Sequence, residues 1–397
     1  MTPTTTPLEQ RPIDLLALDD QLTDPERAWR DDVRALVARS IRPNAAHWFA
    51  EAVFPTELVP ELGRAGLLGT HLSGYGCAGR SAVEYGLAAM ELEAGDSGIR
   101  TLVSVQGSLA MTAIARYGTE EQRERWLPPM AAGETLGCFG LTEPEAGSDP
   151  GGMRTRAVRT SDGGWSLTGS KRWIGLASVA EIAVIWARTD EGVRAFLVPT
   201  ATPGFTATPI APKLSMRASI QCDIVLDDVR LPPEAQLPEA RGLGAALRCL
   251  NEARYGIVWG AMGAARDAME VAVAYATQRE QFGSPIAAFQ LTQQKLVDMQ
   301  LEIEKGVLLA LHLGRLKDAG RLTPEQVSLG KLNNVREAIE VCRQARTILG
   351  GNGVTTTLSP LRHALNLESV RTYEGTDEVH TLVLGAAITG IPAFRIG

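Results

Sequence analysis

The chain reads as a multidomain α+β protein in three successive parts: helical, then β, then helical again. Three observations predict this. Trp29, Val33, Leu36 and Val37 recur at helical spacing inside DPERAWRDDVRALVARSI. From about Gly137 the texture changes to short alternating runs, GWSLTGSKRW, EIAVIWAR, VRAFLVP and DIVLDDVRL, separated by Asp-Gly, Pro-Gly and Pro-Pro turn signals. Beyond Leu243 a helical period returns in long segments. With 397 residues the chain exceeds what one core usually serves, roughly 250 to 300 residues. The expected division is 1–136, 137–242 and 243–397.

In the first part, SAVEYGLAAMELEAG continues the helical style, and Thr119 with Gln122 forms a capping-box pattern at a further helix start. The stretch Gly74-Tyr-Gly-Cys-Ala-Gly79 matches GxGxxG, and Asp96 follows at the distance a dinucleotide fold uses. Its flanks are helical and no strand precedes it, so a glycine-rich loop is expected instead of a Rossmann site. The β part ends near Pro233. In the last part, Thr323, Pro324 and Gln326 combine a capping box with proline in the first turn. Long helices with short connections predict a bundle.

Composition narrows the function classes. The chain is 45% hydrophobic and 21% charged, near the globular average. A net charge of −7 with no basic block disfavours a nucleic-acid partner, because phosphate binding needs clustered Lys and Arg. Cys77, Cys138, Cys222, Cys249 and Cys342 stand apart and odd in number, which fits small buried hydrophobes better than disulfides or zinc. The five histidines show no ligand spacing, so no metal is expected. No apolar window reaches ~18 residues and MTPTTTPLEQRPIDLL lacks a signal-peptide plan, so no membrane span and a cytoplasmic location are expected.

Several stretches carry possible chemistry. In RTYEGTDEVH, Glu374 sits between Tyr373 and Gly375; it is either a surface glutamate or a carboxylate working on a flat substrate between an apolar wall and a gap. Gly137–Asp149, GCFGLTEPEAGSD, is equally a connecting loop or one side of a cofactor pocket at a domain boundary. In Lys171-Arg-Trp-Ile-Gly175 the tryptophan alone suggests core more than a flavin wall. Arg279-Glu-Gln-Phe-Gly283 breaks two helices with a guanidinium beside an aromatic, able to hold a pyrophosphate or adenine. Gly350-Gly-Asn-Gly353 ends a helix, where a left-handed turn is expected anyway. Arg100 and Ser104 are polar points in an apolar helical run; an inward Arg100 needs an anion.

Taken in order, CFGLTEPEAGSD, KRWI, REQFG, FQLTQQKL, ILGGNG and YEGTDEVHTL resemble the acyl-CoA dehydrogenase family over essentially the whole chain. Within it, DSGIRTLVSVQGSL, HLSGYGCAGRSAVEYG, LRCLNEARYGIVWG, LRHALNLESVRTYEGT and LGAAITGIPAF are most similar to the decarboxylating, glutaryl-CoA-specific branch. The resemblance implies an N-terminal α domain, a middle β-barrel and a C-terminal four-helix bundle, assembled as a homotetramer. It implies FAD held without a Rossmann motif, an acyl-CoA substrate, glutaryl-CoA in particular, and an electron-transferring flavoprotein as partner.

Residue by residue, the resemblance makes Glu374 the catalytic base, with Tyr373 excluding water so that its pKa rises, and Gly375 admitting the acyl chain. The enolate oxygen needs preorganised donors, supplied in the family by the backbone N–H of the catalytic Glu and a flavin hydroxyl. Branches that carry the base on an earlier helix match Ala253 here, and Glu252 beside it points elsewhere. Arg100 matches the receiver of the distal carboxylate, with Glu93, Thr101 and Ser104 in the same pocket; a monocarboxylic chain is expected to leave that Arg buried and unpaired. Ser148, Leu250, Asn251, Arg254 and Phe394 fall where the family touches the CoA thioester. Phe139, Leu141, Thr142, Gly147, Ser148, Trp173, Ile174 and Gly175 fall around the isoalloxazine and ribityl. Arg279, Phe282 and Gln290, with Thr347, Ile348, Leu349, Gly350 and Gly351, fall at the pyrophosphate and adenine across a subunit contact, and Thr376 with Glu378 closes the site. Two positions depart from the pattern. Gly175 and Leu176 replace the usual Thr-Asn, removing a hydroxyl thought to bond flavin N5, and Thr347 replaces an adenine-side Gln.

Overall fold

The structure is a computed structural model that describes residues 13–393. Its helical first part follows from capping and apolar spacing together. Helix α1 (Asp24–Leu36) starts at Thr23, whose hydroxyl accepts from the Glu26 N–H while the Glu26 carboxylate accepts from the Thr23 N–H. It buries Trp29, Val33 and Leu36, the residues set at helical spacing. Helices α2 (Arg42–Glu51) and α3 (Val59–Arg64) follow. The glycines 74–79 form a two-stranded hairpin, β1 (Ser73–Gly74) with β2 (Cys77–Ala78), and no βαβ unit. Helix α4 (Ala82–Gly95) starts on a second reciprocal cap, Ser81 with Glu84, and is buried on nearly every side. Helix α5 (Ser97–Val103) runs through a π-helical stretch, Ser104–Met111, into α6 (Thr112–Tyr117). Helix α7 (Glu120–Ala132) begins at the expected Thr119–Gln122 box.

The middle part is one eight-stranded sheet: β3 (Gly137–Gly140), β4 (Arg156–Arg159), β5 (Trp165–Gly175), β6 (Ile182–Thr189), β7 (Gly192–Pro199), β8 (Phe205–Pro209), β9 (Gln221–Leu231) and β10 (Gln236–Leu237). Its order is β10-β7-β6-β4-β5-β9-β8, and β3 adds parallel to β6, Gly137 opposite Ile182. Ile182 to Ala187 is buried without interruption, as a central strand covered on both faces should be. Strand β5 slips against β9 between Lys171 and Ile174, a bulge that re-aims Trp173.

The last part is α8 (Leu243–Gln278), a hairpin of β11 (Glu280–Gln281) and β12 (Ser284–Pro285), then α9 (Gln290–Asp318), α10 (Pro324–Ile348), α11 (Ser359–Val370) and α12 (Asp377–Thr389). Helix α10 starts at the expected Thr323–Gln326 box and packs against α8, α9, α11 and α12. Four cysteines are buried as expected, while Cys77 in β2 is half-buried.

Helix α4 binds the first part to the last. A Cβ at Gly263 of α8 would lie 1.9 Å from the Met90 carbonyl oxygen, so only glycine permits this backbone approach. Glu91, buried on the same helix, accepts from both Arg34 of α1 and Arg266 of α8. Burial alone would raise its pKa, but Arg266 and Arg34 outweigh that and hold it at about 2. Because the folded pKa lies below the ordinary 4.5, this stabilisation is present above that pH and is lost as pH falls toward about 2. Replacing Glu91 with Gln leaves buried Arg266 with only its looser contact to Glu270 at 3.5 Å, and should cost about 3 kcal/mol at neutral pH in urea unfolding. The same variant should lose part of the stability slope on the acid side.

Candidate active site

The turn between α11 and α12 is built around a strained glutamate. Glu374 has φ +54 and Gly375 φ +99, left-handed values that an L side chain adopts only when its surroundings hold it there. Three successive carbonyls are held by two cations, buried Lys331 and half-buried Arg254. Lys331 of α10 donates from Nζ to the oxygens of Tyr373 and Gly375, the latter at 2.6 Å, and Arg254 of α8 donates from Nε to that of Glu374 at 2.6 Å. A Cβ at Gly375 would meet His380 Nε2 at 2.9 Å, so the glycine is required by contact as well as by φ. Thr376 caps α12, accepting from the Val379 N–H at 3.3 Å.

Glu374 is half-buried; its Oε2 is out of water and has no partner among the described residues. Burial raises its pKa above the ordinary value, opposed in turn by Arg100, Lys331 and Arg254. The direction is the one expected of a general base. Burial likewise lowers Lys331, to about 7, and His380, to about 3, so the imidazole is neutral.

Behind the turn, Arg100 is fully buried but not unpaired. Its Nε donates to Glu93 Oε2 at 2.6 Å and its Nη2 to the Tyr373 hydroxyl at 2.5 Å, which also lies 3.2 Å from Thr101 Oγ1. This corrects the charge argument drawn from the sequence: Glu93 already neutralises the guanidinium, so a monocarboxylic chain would not strand a bare charge. What remains open is Arg100 Nη1, Ser104 Oγ and Glu93 Oε1, all buried and without partners among the described residues. Glu252 faces away, accepting from Arg116 and Lys317 at 2.6 Å each, as expected. Leu250, Asn251 and Arg254 share the first turns of α8, where Arg254 Nη1 donates to Asn251 Oδ1 at 3.1 Å. Phe394 lies outside the described residues.

Three family models cover the chain in order: acyl-CoA dehydrogenase N-terminal domain at 23–134, middle domain at 138–229 and C-terminal domain at 240–389. The chain belongs to the acyl-CoA dehydrogenase family. It is 64% identical to a crystal structure of glutaryl-CoA dehydrogenase from Mycobacterium smegmatis, covering 96% of this chain and 99% of that one with a TM-score of 0.95. A glutaryl-CoA dehydrogenase from the same organism in complex with FADH2 is 58% identical, with coverages of 97% and 99% and a TM-score of 0.95. The mitochondrial short-chain specific acyl-CoA dehydrogenase of Bos taurus is 35% identical over 92% of this chain and 90% of that protein.

The family's cofactor-side positions fall in two places. At the bulge of β5, Trp173 takes φ +63 and is 51% exposed, so it is not the core residue its sequence context alone suggested. Gly147 and Ser148 are exposed and Thr142 is half-buried nearby in the chain, its carbonyl accepting from the Arg172 N–H at 2.9 Å. The side chains of Phe139, Leu141 and Ile174 are core, Phe139 lying 5.8 Å from the Trp186 ring. At Gly175 a Cβ would come within 3.1 Å of Val105 Cγ2, so the space a threonine side chain needs is partly filled. The loop is held to β5 by Lys171, which donates to the Leu141 carbonyl at 3.0 Å and to Glu143 at 2.8 Å.

The second place is distant. Arg279, Phe282 and Gln290 sit on or beside the β11–β12 hairpin, whose central residues Phe282 and Gly283 have φ +53 and +76, as a type I′ turn requires. Phe282 is 96% exposed. Arg254 and Arg279 are 25 residues apart on α8, about 37 Å at 1.5 Å per residue. The hairpin therefore cannot join Glu374 within one chain. Thr347, Gly350 and Gly351 are exposed at the far end of α10, with Ile348 and Leu349 buried, and Glu378 is exposed on α12.

Two residues the sequence did not single out complete the site. Lys331 of α10 belongs to no local motif. Gly260 of α8 is needed because a Cβ there would lie 2.0 Å from Glu93 Oε2 and 3.3 Å from Arg100 Nε. Gly260→Ala is expected to push Glu93 off Arg100, lowering the thermal midpoint and weakening any distal-carboxylate preference, measured by calorimetry and by competing acyl-CoA substrates.

Proposed function

We propose that this family member is an FAD-dependent dehydrogenase of glutaryl-CoA that also decarboxylates its product, releasing crotonyl-CoA and CO2 and passing electrons to an electron-transferring flavoprotein. The observation that carries the substrate is the buried Arg100 edge. With Glu93 supplying the countercharge, recognition of a distal carboxylate falls to hydrogen-bond donors, Arg100 Nη1 and Ser104 Oγ, that are buried and otherwise unsatisfied. The 58–64% identity to proteins named glutaryl-CoA dehydrogenase supports the same choice.

The chain's residues fit a flavin. A half-exposed indole on a bulge and a glycine-bearing exposed loop offer a flat apolar face and free main-chain groups. An almost wholly exposed Phe282 beside Arg279, too far from Glu374 in its own chain, fits a cofactor shared with another copy in a homotetramer. When bound, FAD supplies the acceptor for the β-hydride.

The Glu374 carboxylate removes the α-proton of the thioester. Its desolvation raises its basicity, and the Glu374 N–H is placed to receive the thioester oxygen as charge develops there. The resulting α,β-unsaturated diacid thioester can break its Cγ–CO2⁻ bond, because the electron pair left on Cγ is delocalised onto the thioester carbonyl. Protonated Glu374 then returns its proton to that dienolate.

A second reading, a short-chain monocarboxylic substrate, is favoured by the Glu93 countercharge. Gly175, lacking a hydroxyl, favours an oxidase. Anaerobic mixing with glutaryl-CoA and butyryl-CoA separates these. Bleaching of the yellow flavin with CO2 release is expected for glutaryl-CoA; bleaching without CO2 contradicts the decarboxylation, and peroxide formed under air supports the oxidase. Glu374→Gln should keep the yellow colour and slow bleaching by about 10²–10⁴-fold. The pair Arg100→Met with Glu93→Gln, which removes charge symmetrically, should lower kcat/KM for glutaryl-CoA relative to butyryl-CoA by about 10-fold or more, the worth of a hydrogen bond to a charged group.

A further inference from the structure

We propose that Lys331 of α10 is a positioning residue for the Glu374 turn: it aims the Glu374 N–H away from α10 into the substrate space and sets a cation beside the Glu374 carboxylate. The first half follows from peptide geometry. A trans peptide holds its C=O and N–H on opposite sides, so fixing the Tyr373 oxygen on Lys331 Nζ directs the Glu374 N–H the other way. Among the described residues that N–H has no acceptor within the chain. Lys331 also holds the Gly375 oxygen at 2.6 Å while Arg254 takes the intervening one, so the carbonyls of 373, 374 and 375 face α8 and α10. A carbonyl bonded to an ammonium polarises its peptide, which strengthens the N–H as a donor.

The second half is electrostatic. Lys331 is buried, and around it stand Glu374, Arg254 of α8, Arg100 of α5 with its partner Glu93 of α4, Tyr373, and Asp377 and His380 of α12. Asp377 is already engaged by Arg336 at 3.0 Å and Arg371 at 2.6 Å, and His380 is neutral, while Lys331 Nζ bonds the carbonyls on both sides of Glu374 and so sits next to that residue without forming a direct ion pair with its carboxylate. Burial drives both groups toward their neutral forms, and each opposes that in the other.

The aiming of the N–H rests on the dehydrogenase reading, since that reading says which oxygen it meets. The electrostatic half does not. The test uses holoenzyme carrying ¹³C at the glutamate carboxyls, with the Glu374 signal identified by its loss in Glu374→Gln. Lys331→Met is expected to raise the midpoint of that carboxyl by about one pH unit or more, with Lys331→Arg near the parent. The acid limb of kcat/KM should move up by the same amount, and kcat should fall more than KM rises, because the N–H acts in the transition state.

A Glu374 midpoint unmoved in Lys331→Met overturns the proposal, whatever the activity does. If that variant does not fold, the reciprocal holds: Glu374→Gln must lower the midpoint of Lys331 Nζ read by ¹⁵N resonance, and no change overturns the proposal equally. A parent enzyme that reacts with no acyl-CoA sinks the dehydrogenase reading alone, because the carboxyl comparison still decides the role of Lys331.

Discussion

The desolvation of one carboxylate is the constraint on which the rest of the structure depends. Glu374 sits half-buried on a turn with left-handed φ, with one buried oxygen unsatisfied. Neither the conformation nor the burial is favourable by itself, so both must be imposed. They are imposed by cations that bond to the backbone of the turn and not to the carboxylate. That arrangement supplies positive charge without consuming the base in an ion pair, leaving its free oxygen for a proton.

The other buried charges follow the same economy. Arg100 is neutralised by Glu93 on a helix whose backbone touches α8, and Gly260 exists to leave room for that pair. Two residues earlier on the same helix, Glu91 ties α1 and α8 together. Helix α4 thus carries a structural ion pair and a site ion pair two residues apart, and the stiffness of the first protects the geometry of the second. The sheet contributes at a single bulge, where a slip of register turns Trp173 outward.

Much of this was legible in the sequence, and the parts that were not share a cause. Periodicity separated helical from β segments, and the capping boxes at Thr119 and Thr323 marked true helix starts because they are local chemistry. The GYGCAG stretch forms the β1–β2 hairpin and not the βαβ unit of a Rossmann motif, in keeping with the glycine-rich loop expected of it. Glu374 stood out between an aromatic and a glycine. What stayed hidden depends on partners far apart in the chain: Lys331 bonds to residues 373 and 375, Gly260 faces Glu93, and Arg100 already has its anion. Spacing along one helix cannot show which face meets another helix. Trp173 was misread from its strand context for the same reason, because the bulge is a property of the β5–β9 register and not of either strand.

The central claim is that Glu374 is a desolvated base, and exchange of the α-hydrogens of a bound acyl thioester with D2O tests it most directly, since it reports proton abstraction alone. The account predicts exchange that rises with pH through a midpoint above the ordinary 4.5 of a glutamate and that disappears in Glu374→Gln. Exchange that persists in that variant, or that is already complete at the ordinary midpoint, would contradict it.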